Sequence, residues 1–147
     1  LPVSIVLEGG DLYSYVSRKG RLTEQDALAL LFQILRAFRT IVRLGLIHRD
    51  LKPENIFLKN GKIKIGDFGL SKQLSSEQLA RTYAGSPLNM APEILKHRSY
   101  DNRADIYSMG TVLHFMLYGW YRSLVNLVHL LAEVTSQTYW IALQTAN

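Results

Sequence analysis

His48, Arg49, Asp50 and Lys52 stand almost side by side in the chain, Asn55 follows closely, and Asp67 brings a further carboxylate. These residue types together can handle a phosphate. Asp50 is a candidate base, Arg49 and Lys52 are cations that phosphate oxygens attract, and His48 adds an imidazole. The Asn55 amide oxygen and the Asp67 carboxylate form a hard oxygen pair suited to Mg²⁺, an ion that keeps waters and phosphate oxygens as its other ligands. Taken singly, each has an ordinary reading: Asp50 as a turn former, Lys52 as a surface charge, Asn55 as a cap and Phe68 as core.

What makes the group more than ordinary is the element that would join its two ends. Ile56-Phe57-Leu58-Lys59 and Lys62-Ile63-Lys64-Ile65 flank Asn60-Gly61, a strong two-residue hairpin signal. With Asn60 and Gly61 at the turn centre, partner numbers sum to 121, so Asn55 lies opposite Gly66 and Glu54 opposite Asp67. The hairpin therefore returns Asp67 to Asn55 at its open end.

Helices are expected around this hairpin. Thr23-Glu24-Gln25-Asp26 reads as an N-cap with an acid at the third helical position, and Leu28, Leu31, Phe32, Leu35, Phe38 and Val42 follow at helical spacing as a core-facing stripe. Gly45 ends that helix. A shorter helix is expected over 11–18, closed by Gly20. From Asp105 to Gly119 the chain is apolar on nearly every face, the pattern of a helix buried inside a helical domain. Residues 71–93 show no periodicity and read as a long loop, of the kind that is usually functional, with a small helical piece near 92–96.

Composition bounds the rest. The 147 residues are 48% hydrophobic and 20% charged, enough for one globular unit with a sizeable core. The absence of cysteine excludes disulfides and thiolate metal sites and fits a reducing compartment, so an intracellular, cytoplasmic location is expected. A net charge of +5 is dispersed, without the basic and aromatic interleaving of a nucleic-acid surface. The most apolar stretch, 109–134, is broken by His114, Arg122, Asn126 and His129 and falls short of a membrane span. Leu1-Pro2-Val3-Ser4-Ile5-Val6-Leu7 has neither an initiator Met nor a basic leader and reads as the interior of a longer protein.

Ile47-His48-Arg49-Asp50-Leu51-Lys52-Pro53-Glu54-Asn55 resembles the catalytic loop of eukaryotic-type protein kinases, and Asp67-Phe68-Gly69 and Ala91-Pro92-Glu93 resemble their next two signatures, in the same order. The resemblance runs from about Gly9 to Gly119. It implies a mainly α fold with a small β-hairpin (α+β), the kinase C-terminal lobe, with the small N-terminal lobe absent. It divides the partial domain, 1–147, into the end of the hinge (1–8), the catalytic-lobe core (9–119) and a divergent tail (120–147). The activity implied is transfer of the γ-phosphoryl group of ATP to Ser or Thr hydroxyls of a protein substrate, with ATP and Mg²⁺ as cofactors.

By the same resemblance, Asp50 accepts or orients the hydroxyl proton, Lys52 sits against the transferring group, and Asn55 and Asp67 hold metal. Asp11 reaches the ATP ribose or a basic substrate side chain, and Phe57 packs under the adenine. Ser86 bonds the catalytic Asp and Lys, a serine/threonine trait like the Lys of Leu51-Lys52-Pro53-Glu54-Asn55. Asp105 anchors the catalytic-loop backbone, His48 packs on Phe68, and Gly69 and Glu93 complete the structural signatures. Thr82 stands where relatives carry a regulatory phosphate, which Arg49 would pair. Asn89 stands where an aromatic residue is common, and Trp120-Tyr121 where Pro and an aromatic are usual. No Gly-rich loop, strand lysine or partner glutamate is present, so this chain alone is expected to bind ATP poorly and to transfer no phosphate. The alternative from another class is a non-catalytic pseudokinase or fragment serving as a protein-binding module.

Overall fold

The computed structural model describes residues 10–59, 62–73, 80 and 84–121. Short strand β1 (Gly10–Asp11) leads directly into helix α1 (Leu12–Lys19), and α2 (Glu24–Arg43) follows. The Thr23 hydroxyl accepts the Asp26 N–H at 3.2 Å, satisfying a first-turn donor, while Glu24 and Asp26 complement the helix dipole. Gly45 takes a positive φ of 67° just past the helix end, as a helix stop requires.

Ala27, Leu30, Leu31, Ile34, Leu35, Phe38 and Ile41 line the buried face of α2. Phe32 does not belong to it: its ring is 47% exposed, and the core stripe runs one position away, through Leu30, Ile34 and Ile41. The helix is wide enough in apolar residues that spacing alone admits both faces, and packing against β4 (Lys62–Ile65) and α4 (Arg103–Tyr118) decides between them. Full burial of Leu30 or Ile34 contributes roughly 1.5–3 kcal/mol each.

Strand β2 (Leu46–Ile47) precedes the loop that carries Asp50, and a 3₁₀ turn, Pro53–Asn55, delivers the chain into β3 (Ile56–Lys59). Strands β3 and β4 pair antiparallel with Ile56 opposite Ile65 and Lys59 opposite Lys62, the register expected of a two-residue connection. The connection itself, Asn60-Gly61, lies outside the described residues. β1 adds to the free edge of β3, with Asp11 opposite Phe57, and makes a three-stranded sheet in the order β1-β3-β4.

A second, two-stranded sheet pairs β2 with β5 (Lys72–Gln73), just beyond the second acidic signature. None of β1, β2 and β5 was expected, because two residues carry no periodicity. Beyond them come a 3₁₀ turn at Pro87–Asn89 and the short α3 (Pro92–Leu95). The large core unites α1, α2, β3 and α4, and a smaller one, from Ile47, Met90, Ala91, Ile94, Tyr100 and Ala104, lies beneath the Asp50 loop. The molecule is thus helical with small antiparallel sheets, and α4 passes between the two cores.

Candidate active site

The Asp50 loop is hung on α4 by one side chain. Asp105 is 1% exposed, and its two carboxylate oxygens accept the backbone N–H groups of His48 at 2.8 Å and Arg49 at 2.9 Å. Burial pushes the Asp105 carboxyl up, against the pull of those two bonds. They hold Arg49 in a left-handed conformation, φ 70°, which a non-glycine residue adopts at a cost of about 1–3 kcal/mol. That turn directs the next residue, Asp50, into the site, and the Arg49 Nε donates to the Leu70 carbonyl beyond it.

Both oxygens of the Asp50 carboxylate have partners. Its Oδ1 accepts the Ser86 backbone N–H and the Ser86 hydroxyl, each at 2.9 Å. Its Oδ2 meets the Lys52 Nζ at 2.9 Å and the Asn55 Nδ2 at 3.1 Å. Lys52 also donates to the Ser86 hydroxyl at 2.8 Å, closing a triangle of carboxylate, ammonium and hydroxyl. Burial raises the Asp50 carboxyl, but the hydrogen bonds from Lys52 and Ser86 outweigh it and hold the group below its ordinary value.

Ser86 reaches Asp50 because Gly85 precedes it. Gly85 has φ 114°, and a Cβ there would stand 2.3 Å from the Arg49 carbonyl oxygen, so the two backbones approach only without a side chain.

On the other side, the Gly66 N–H donates to the Asn55 carbonyl at 2.9 Å, which places Asp67 one residue beyond the Asn55–Gly66 pair at the open end of the hairpin. Gly66 carries two more contacts. Its carbonyl accepts from His48 Nε2 at 2.9 Å, which assigns the ring proton to Nε2 and leaves Nδ1 facing the Asp50 N–H at 3.4 Å. Its missing side chain makes room for Phe57, whose ring edge would lie 2.8 Å from a Cβ. His48 is fully buried and meets the Phe68 ring edge-on at 4.9 Å, so the two do pack together.

Asn55 commits its Nδ2 to Asp50, through both the carboxylate and the backbone carbonyl at 2.8 Å, and its Oδ1 has no partner among the described residues. Asp67 is exposed, takes φ 56°, and accepts the Gly69 N–H at 3.3 Å on one oxygen. One amide and one carboxylate oxygen therefore remain available at the hairpin's open end, a donor set that fits Mg²⁺.

The outlying residues divide. Phe57 is 41% exposed. Asp11 caps α1: Oδ1 accepts the Ser14 N–H at 2.7 Å and Oδ2 the Ser14 hydroxyl at 3.1 Å. Glu93 sits in the first turn of α3, where its charge adds to burial in raising the Tyr107 phenol. Thr82 lies outside the described residues. Asn89, which stands where an aromatic residue is common, is buried in a hydrogen-bonded network on α4.

Comparison with known proteins gives this geometry its context. Residues 3–126 match the family described as protein kinase domain. The chain is 40% identical over 124 residues to the serine/threonine-protein kinase ATG1a of Arabidopsis thaliana, covering 80% of this chain and 20% of that protein. It is also 40% identical over 130 residues to the serine/threonine-protein kinase ULK1 of Homo sapiens, covering 80% of this chain and 12% of that protein. With the serine/threonine-protein kinase atg1 of Dictyostelium discoideum it shares 40% identity over 116 residues, 76% of this chain and 17% of that protein. The chain thus spans a fifth or less of the length of these relatives.

Proposed function

The chain belongs to the protein kinase family, and from that membership we propose that it forms the catalytic lobe of an ATP-dependent serine/threonine protein kinase. In this reading residues 9–119 are the lobe core, 1–8 the end of the hinge and 120–147 a divergent tail, and the protein acts inside the cell, where ATP is supplied. The observation that carries the proposal is the Asp50 carboxylate, aimed by Ser86, Lys52 and Asn55 and kept ionised at neutral pH.

Bound ATP would supply the phosphoryl group, and Mg²⁺ held by Asn55 Oδ1 and Asp67 would neutralise phosphate charge. Asp50 orients the acceptor hydroxyl and takes its proton; a carboxylate held this acidic works chiefly by orientation. Lys52, fixed between Asp50 and Ser86, presents its ammonium where negative charge develops. The Ser86 hydroxyl keeps both side chains in register. Phe57 offers an apolar surface for the base, and Glu54, exposed beside the loop, favours a basic substrate residue.

The test is phosphotransfer by the full-length protein from γ-labelled ATP with Mg²⁺ to a mixed peptide library, followed by phosphoamino-acid analysis. Label on serine and threonine, lost in Asp50→Asn, is the expected result. Label on tyrosine overturns the acceptor class, and no label above the Asp50→Asn background leaves a non-catalytic binding module.

A further inference from the structure

Asn89 presents a problem that its surroundings solve. It is 4% exposed, and a buried primary amide left unpaired costs about 1–3 kcal/mol. Its Nδ2 donates to the Thr111 hydroxyl at 2.6 Å, and Thr111 in turn donates to the Ser108 carbonyl at 2.7 Å. The Ser108 hydroxyl donates back to the Asn89 carbonyl at 2.7 Å, so side chain and backbone of Asn89 are both pinned to one face of α4.

The same residue closes the turn that carries Ser86, since the Asn89 N–H donates to the Ser86 carbonyl at 2.9 Å. Ser86 then makes its two bonds to Asp50. Helix α4 therefore holds both partners of the Asp50–Ser86 contact. Asp105 holds the loop bearing Asp50, and Ser108 and Thr111, further along the same helix, hold the turn bearing Ser86.

We infer that Asn89 and Thr111 are positioning residues, which set Ser86 against Asp50 and Lys52 by locking the Pro87–Asn89 turn onto the helix that anchors the Asp50 loop. Their effect on phosphotransfer rests on the kinase reading above; their effect on Ser86 does not. Asn suits the task because it is short enough to lie flat against α4 and offers a donor where the Thr111 hydroxyl, already donating to Ser108, needs to accept.

The experiment is amide hydrogen exchange on the full-length protein, comparing Thr111→Val, which removes the hydroxyl at nearly constant volume, with Thr111→Ser, which keeps it. Thr111→Val is expected to speed exchange at the Ser86 amide about tenfold while leaving the Asp105-bound amides of His48 and Arg49 unchanged, and Thr111→Ser to restore protection. In the kinase assay Thr111→Val lowers kcat with KM for ATP unchanged, and the loss vanishes in a Ser86→Ala background, where there is no side chain left to position. Equal acceleration at Ser86, His48 and Arg49 would show general loosening of the fold and overturn the inference, as would an unchanged Ser86 rate. If exchange responds as expected while the wild-type protein transfers no phosphate, the positioning pair stands and the kinase reading falls.

Discussion

Asp50 and Asp67 are carboxylates of one site, reached through one hairpin, and the chain treats them in opposite ways. Asp50 is buried and receives donors on both oxygens from three residues, while Asp67 stands in the open and, among the described residues, accepts one long bond, from Gly69. The flanking aromatics follow suit: His48 is fully buried, and Phe68, which it meets edge-on, is 42% exposed. A group that must aim a proton acceptor gains from being fixed in advance by protein donors. A group that must ligate a cation needs its lone pairs free, since a carboxylate spent on protein donors is a weaker ligand. Both carboxylates lie beside a residue in the left-handed region, or in it themselves, so the strain is shared even though the burial is not.

The sharpest way to break this contrast is to neutralise each carboxylate in turn. On the proposed kinase function, Asp67→Asn and Asp50→Asn are both expected to lower phosphotransfer by at least about a thousandfold. Stability separates them. Asp67→Asn should change unfolding free energy by no more than about 0.5 kcal/mol. Asp50→Asn turns an NH₂ group toward existing donors and should cost about 1–3 kcal/mol, read from denaturant midpoints of the full-length protein. Equal stability losses would mean that Asp50 is no more built in than Asp67.

Asp105→Asn probes the anchor of the buried half. An amide keeps one acceptor oxygen and turns a donor against the other backbone N–H, so either His48 or Arg49 loses its partner. A loss of about 1–3 kcal/mol is expected, with faster amide exchange at those two residues as the local readout. Unchanged exchange there would detach the loop from α4.

The smallest effect is a titration. Because its hydrogen bonds outweigh burial, Asp50 in the folded protein titrates below the unfolded value of about 3.9. Its stabilising contribution is therefore complete above that pH and disappears as pH falls through the lower folded value. Ser86→Ala removes one of the bonds and should move the Asp50 carboxyl up, measured by carbon-detected NMR. Asp105 works with the opposite sign: its raised value makes ionisation cost stability as pH climbs from the unfolded toward the folded value.

Parts of this site are local enough to read from residue order. The Asn60-Gly61 signal sets the β3–β4 register, and with it the approach of Asp67 to Asn55, because a two-residue turn leaves the strands no other alignment. Thr23 and Gly45 mark the ends of α2 because caps act within one helical turn. Phe32 shows where local reasoning stops, since a helix face is chosen by its neighbours and not by its own spacing. Asp11 shows the same from the other side: one carboxylate suits a ligand and a cap alike, and only the folded chain shows that Ser14 bonds both of its oxygens.

Sequence alone determined the inventory of the site, its order, and the hairpin that joins Asn55 to Asp67, all of them effects that act over a few residues. Tertiary structure decided which carboxylate is clamped and which left open. The contacts responsible join His48 to Asp105, 57 residues apart, Asp50 to Ser86, 36 apart, and Asn89 to Thr111, 22 apart. No propensity or spacing rule reaches so far, because such pairs form only when separate elements pack on α4 and bury polar groups that must then find one another.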